Sequence, residues 1–287
     1  MHPTVQKLLA DCLREKGRFV LLLSLAAMLM LLSVAFPAEA AFSVSIAPVE
    51  LTLKPGESFT GFALATNNGE ETEQVKVYLG DWQPVENGTK YLEPGVHPRG
   101  LAHWMKISRS RVTLDAGGAE KVFYEISIPE NSELSGSYWG MLFLEDVPPE
   151  AERLEPGEEV PQMAIRTVTR YALKFYVNIE GTEESKATFA SSSLEATEEG
   201  LVVGALFENL GNVWQRPEVW LEVHSANGEV VYRAEHRLKT VLPGDEFQYR
   251  FPLKDAGLEK GSYFALIIAD YQAPKLIAAQ CEIDIGD

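Results

Sequence analysis

Two cysteines, Cys12 and Cys281, stand in a chain of 287 residues. That is too few for a disulfide framework or a thiolate zinc site. Positive charge is also scarce: 25 lysines and arginines face 42 aspartates and glutamates, a formal charge of −17 at pH 7. Phosphate repels such a chain, which argues against nucleic acid and anionic membrane surfaces as partners. The histidines beyond residue 40 are His97, His103, His224 and His236, and none is paired at metal-ligand spacing. The segment Gly136-Ser137-Tyr138-Trp139-Gly140 is not a nucleophile elbow, because its serine comes one place early. No phosphate-cradling glycine motif or EF-hand loop occurs. Carboxylates abound, yet no pair stands out for acid–base work. The expectation is therefore a binding or structural protein rather than an enzyme, with no catalytic residue, metal or cofactor.

There is one long apolar run, at 19–36. Lys7, Arg14, Lys16 and Arg18 precede it, and Pro37, Ala38, Glu39 and Ala40 come directly after. A basic region, an apolar core and an Ala-x-Ala site describe a cleaved secretory signal peptide at 1–40. Cleavage removes four basic and three acidic residues, leaving 21 and 39 and a formal charge of −18. No second apolar run offers a membrane span. Cys281 remains as the one thiol, read as a buried small hydrophobe.

From residue 41 onward the chain reads as all-β. Short alternating segments such as 74–79, 121–126 and 200–207 carry β-branched and aromatic residues between turn signals. Four landmarks recur in order: Asn67-Asn68-Gly69 and Asn209-Leu210-Gly211; Asn87-Gly88 and Asn227-Gly228, read as type I′ hairpin turns behind strands around Trp82 and Trp220; Thr113-Leu114-Asp115-Ala116-Gly117 and Thr240-Val241-Leu242-Pro243-Gly244; Gly136-Ser137-Tyr138-Trp139 and Gly261-Ser262-Tyr263-Phe264. The repeat predicts two tandem immunoglobulin-like β-sandwich domains of seven strands each, 41–182 and 183–287. In each, the Gly-Ser-Tyr tyrosine is expected at a sandwich corner, its hydroxyl bonding nearby backbone.

The first domain carries a long acidic loop, 147–162, and loops of that length in compact domains tend to be functional or disordered. Alternation over 163–177 predicts an edge strand with Met163, Ile165, Leu173, Phe175 and Val177 on one face, which is expected to be partly uncovered beside the cleft between the domains. Arg166, Arg170 and Lys174 lie on the other face. Three cations along one strand of so acidic a chain suit a carboxylate-binding strip beside an exposed strand edge, which can take a partner strand. The candidate client-binding residues are Met163, Ile165, Arg166, Arg170 and Lys174.

Several motifs carry a resemblance. Ile46-Ala47-Pro48 through Leu53, Pro55-Gly56, Gly136-Ser137-Tyr138-Trp139, the Leu144 to Pro149 exit, the long loop and the strand through Thr169-Arg170-Tyr171 resemble the N-terminal domain of PapD-like periplasmic pilus chaperones. The resemblance covers about 44–180. It implies a chaperone that donates or pairs a β-strand with secreted pilin-like subunits in the periplasm, with an outer-membrane usher as a further partner. It also implies that two basic residues in the interdomain cleft hold the client's C-terminal carboxylate. Arg170 matches the late-strand residue, whereas Glu50 stands at or near the first-strand position. The same domain is similar to the peptidoglycan-binding domain of WxL-interacting cell-surface proteins, through Leu53-Lys54-Pro55-Gly56, Asn87-Gly88-Thr89-Lys90-Tyr91 and Ile126-Ser127-Ile128-Pro129. That likeness implies the alternative, an adhesive or structural module at the cell surface that binds cell-wall material or protein. Such proteins usually end in a membrane helix, and the last residues here contain no such run.

Overall fold

The computed structural model describes residues 42–45, 47–85, 88–147, 168–198 and 200–286. The leader read at 1–40, the turn residue Asn87 and the acidic loop beyond Val147 lie outside the described residues, as do Met163, Ile165 and Arg166. The regular elements described are strands, apart from one 3-10 turn at Ala102–Trp104. Among the described residues no helix is long and apolar enough to cross a membrane.

The first sandwich packs two sheets. One runs β1 (Phe42–Val44), β3 (Ser58–Asn67), β8 (Ala119–Ser127), β6 (Met105–Ile107). The other runs β2 (Val49–Leu53), β10 (Arg170–Ile179), β9 (Ser137–Asp146), β4 (Glu73–Val85), β5 (Gly88–Leu92), with β7 (Arg111–Leu114) also on β4. Alternation does the local work. On β8, Val122, Tyr124 and Ile126 are buried while Lys121 and Phe123 face out. The inward rows of both sheets meet in one core that includes Val77, Leu142, Leu144, Phe175 and Val177. The second sandwich sets β11 (Ala187–Thr197), β12 (Gly200–Asn209) and β15 (Glu246–Pro252) against β14 (Val230–Glu235), β13 (Glu218–Ser225), β16 (Gly261–Asp270) and β17 (Ile277–Ile285). Its core is centred on Phe207, Leu221, Tyr249 and Ile267.

The repeat is visible atom by atom. Asn67 Nδ2 donates to the carbonyls of Glu71 and Leu114, at 2.7 and 3.0 Å. Asn209 Nδ2 donates to those of Val213 and Val241, at 2.8 and 3.0 Å. Each Oδ1 accepts from the glycine two places on, Gly69 or Gly211. Gly117 and Gly244 turn the paired loops with φ of 66° and 78°, a region where a side chain would be strained. Ser137 and Ser262 each donate 2.6 Å bonds to the following strand, at Asn178 and Asp284.

Four details depart from the sequence reading. The first sandwich has ten strands among the described residues, because the N-terminal strand splits into β1 and β2 on opposite sheets and short strands β6 and β7 are added. Ladder register matches Trp220, opposite Ile268, to Tyr78, opposite Phe143, rather than to Trp82. At Asn227-Gly228 only the glycine has positive φ, and Gly228 N–H bonds Ser225 O. This is a type I turn ending in a left-handed glycine, with a register shift beside it, not a type I′ turn. Tyr263 does donate to the backbone, to Glu259 O at 3.0 Å, whereas the Tyr138 ring lies against Trp104.

Candidate functional site

β10 is the strand on which the candidate residues fall. Its observed span is Arg170–Ile179, and its odd residues enter the core: Leu173, Phe175, Val177 and Ile179 are at most 2% exposed. The expected uncovered apolar row is therefore buried here, because the four-stranded sheet packs onto it. The even residues face outward, over a second apolar layer made of Trp82, Trp139, Met141, Phe143 and Tyr176. β9 is thus buried on both faces, which explains its unbroken apolar run.

One edge of β10 is only half covered. Ile179 N–H bonds Gly136 O, and Asp146 N–H bonds Thr169 O, so the odd residues hydrogen-bond to β9. Glu180 N–H bonds Leu53 O on the opposite side, where β2 runs parallel from Phe175↔Val49 to Ile179↔Leu53. Before Phe175, β10 has no ladder partner on that side among the described residues. The main-chain groups of Arg170 and Ala172 point there.

The cations have distinct surroundings. Arg170 is ion-paired with Glu145, whose carboxylate also accepts the Tyr78 hydroxyl at 2.7 Å. The Tyr78 hydroxyl bond, and then Arg170, hold the Glu145 carboxyl below the usual carboxylate range. Burial and that same bond push Tyr78 up to about 12. Lys174 Nζ lies 4.4 Å from the centre of the Trp82 ring, and burial together with the charge of Lys239 lowers its pKa. Neither lysine has an ion-pair partner among the described residues. The Trp82 indole N–H is buried and unpartnered among them.

Arg170 and Glu145 are both partly exposed, so Arg170→Ala should cost less than about 1 kcal/mol in urea unfolding at pH 7. The lowered Glu145 pKa gives stability that is present above its unfolded pKa and lost as pH falls through the folded value. Tyr78→Phe, which removes the larger cause, should flatten that acid-side loss more than Arg170→Ala does. A loss of several kcal/mol from Arg170→Ala would instead make the pair a structural keystone.

The second sandwich closes one end of this face. Ser137 N–H donates to Asn212 O at 2.8 Å, and Trp214 N–H donates to Ser137 Oγ at 2.9 Å. Trp214 packs on Tyr176, 5.3 Å between ring centres, and Leu242 is buried in the same layer. Arg216 reaches across to Glu50 at 2.7 Å. Glu50, where the resemblance implies a cation, is thus neutralised from the neighbouring sandwich. Beside this junction a cavity of about 680 Å³ is lined by Val85, Lys239, Asp245 and Phe247 among others. Burial pushes the Asp245 carboxyl up to about 6.

Sequence reasoning singled out Arg170 and Lys174 as candidates but not Trp214, Arg216, Lys239 and Leu242, which loops of the other sandwich bring to the same face. The available signal was an aromatic–x–arginine in a short loop directly after the repeated Asn-x-Gly.

No family model matches the chain, and no curated protein matches it. Solved structures do. A chaperone–tip adhesin complex of CFA/I fimbriae is similar at 13% identity, covering 84% of this chain and 98% of that one, with a TM-score of 0.46. The YadV chaperone is similar at 13%, covering 85% and 100%, with a TM-score of 0.44. The CsuC–CsuE chaperone–tip adhesion subunit pre-assembly complex of Acinetobacter baumannii is similar at 10%, covering 84% and 98%, with a TM-score of 0.43. Each of these structures is described as a chaperone or as a complex containing one.

Proposed function

We propose that this chain is an assembly chaperone. It would be exported to the periplasm by its 1–40 leader, with domains at 41–182 and 183–287, and would hold a secreted subunit by strand pairing along β10. The observation that carries this reading is the interrupted partnership of β10: before Phe175 its outer edge, to which the main-chain groups of Arg170 and Ala172 point, has no ladder partner among the described residues. An incoming strand gains affinity from those groups and register from its own alternating side chains. Lys174 and Lys239, without acidic partners among the described residues, are the cations best placed for a client carboxylate, in place of a basic residue at 50. The client class is pilin-like, and an usher would be the onward partner.

The test uses an alternating valine–threonine peptide with a free C-terminal carboxylate, followed by amide hydrogen exchange on the full chain. The Arg170 and Ala172 amides should gain protection, about tenfold or more. A proline-interrupted peptide should give none, and C-terminal amidation should weaken binding unless Lys174 and Lys239 are already alanine. Unchanged exchange at Arg170 and Ala172 sinks the strand-pairing reading. Retention on purified peptidoglycan without such protection would favour the adhesive module.

A further inference from the structure

The repeat sets two equivalent sheet faces in one chain, one covered and one bare. Through Gly136-Ser137-Tyr138-Trp139 and Gly261-Ser262-Tyr263-Phe264, the outward residues Trp139, Met141 and Phe143 of β9 correspond to Phe264, Leu266 and Ile268 of β16. In the first sandwich those side chains are 1–2% exposed, and Trp214 and Leu242 of the second sandwich join the same apolar layer. In the second, Phe264 is 42% exposed, and Leu266, Ile268 and Trp220 are only half-buried.

Charge surrounds the bare face. Glu218 stands directly opposite Asp270, Glu235 opposite Trp220, and Glu282 opposite Phe264. Like charges set directly opposite destabilise a sheet. Neither Glu218 nor Asp270 has an ion-pair partner among the described residues. The one arginine or lysine on β13 and β14, Arg233, is already engaged, 3.9 Å from Glu235, and the His224 ring lies 3.3 Å from Glu222. Arg233 also lies over the Trp220 ring, 5.5 Å from its centre, so this surface already accepts a guanidinium. A cavity of about 410 Å³ continues the face, lined by Glu218, Trp220, Glu235, His236 and Asp270 among others.

We infer that the β13–β16–β17 face of the second sandwich docks a partner protein through a segment that carries an aromatic or leucine side chain next to arginine or lysine. The first sandwich shows the pattern: Trp214 covers its apolar layer, and Arg216 two residues on pairs with Glu50. The acidic rim selects a cationic segment, and the apolar row supplies buried area. This inference is independent of strand pairing at β10.

The probe is the capped peptide Asn-Val-Trp-Gln-Arg-Pro, titrated into the full chain and followed by NMR at the Trp220 indole and the Leu266 and Ile268 methyls. Saturable shifts are expected there, with binding at least about tenfold weaker when glutamate replaces the arginine. Phe264→Ser with Ile268→Ser should abolish them. Glu218→Lys, which relieves the like-charge pair and so keeps the fold, should weaken them too. Equal binding of both peptides, absent shifts, or shifts confined to β10 would overturn the inference. Doubling of the mass in solution that Ile268→Ser abolishes would overturn it in favour of a second copy of the chain.

Discussion

Replacing Asp81 with alanine is expected to lower the folding free energy by about 3–5 kcal/mol, read as a shifted urea midpoint with an unchanged slope. Asp81 is 0% exposed on β4. Its carboxylate accepts Gly95 N–H at 2.7 Å and Ala102 N–H at 3.1 Å. A Cβ at Gly100 would run into that carboxylate, so the loop is drawn tight around it. Alanine strands both donors and leaves a void, which penalises the folded state twice. Asp81→Asn keeps volume and one acceptor, and should cost roughly half as much. The loop also holds His97 against Trp139, 4.8 Å between ring centres, so its release would uncover the apolar layer beside β10. A loss below about 1 kcal/mol would show that the loop is held by packing alone.

Gly136→Val is expected to uncouple the two sandwiches. Gly136 has a φ of 69°, which strains any β-branched residue, and its Cβ would collide with the Asn212 carbonyl. Backbone has nowhere to yield, because Asn212 also accepts Ser137 N–H and donates its Nδ2 to Thr182 O at 2.8 Å. Calorimetry should then resolve two unfolding transitions, against the single one expected of the native chain. Gly181→Ala is the control. It has a φ of 79° but open space around its Cβ, so it should cost about 1 kcal/mol and leave one transition. A single transition in both variants would mean that the Arg216–Glu50 pair and the Trp214–Tyr176 contact hold the junction unaided.

The two-sandwich plan could be read from the chain because it is written in local signals. Asn67 and Asn209 recur with their glycines two places on, and alternation marks the strands. The split of the N-terminal strand could not be read, because nothing local says that Phe42–Val44 and Val49–Leu53 join opposite sheets. The faces of β10 were separated correctly by parity, but parity does not say which face is covered. Leu173 and Phe175 looked available because their cover comes from β3 and β8, which lie far earlier in the chain. The site's other half was illegible for the same reason. Glu50 meets Arg216 only through the packing of one sandwich on the next, 166 positions apart.

The pairing of β2 with β10 has a consequence for the order of events during synthesis. Val49 is among the first residues of the first sandwich to emerge, and its ladder partner Phe175 arrives only after the rest of that sandwich. The Tyr171 hydroxyl likewise reaches Phe42 O across 129 positions. Such contacts are slow to form, because closing a long loop must precede any gain from the pairing. Until β10 arrives, the inner face of the first sandwich has no lid along that side, and the nascent chain itself has unmatched strand edges. Refolding of a fragment ending before residue 168 should therefore stall in an aggregation-prone collapsed state, while the second sandwich, whose strands pair over shorter spans, closes sooner.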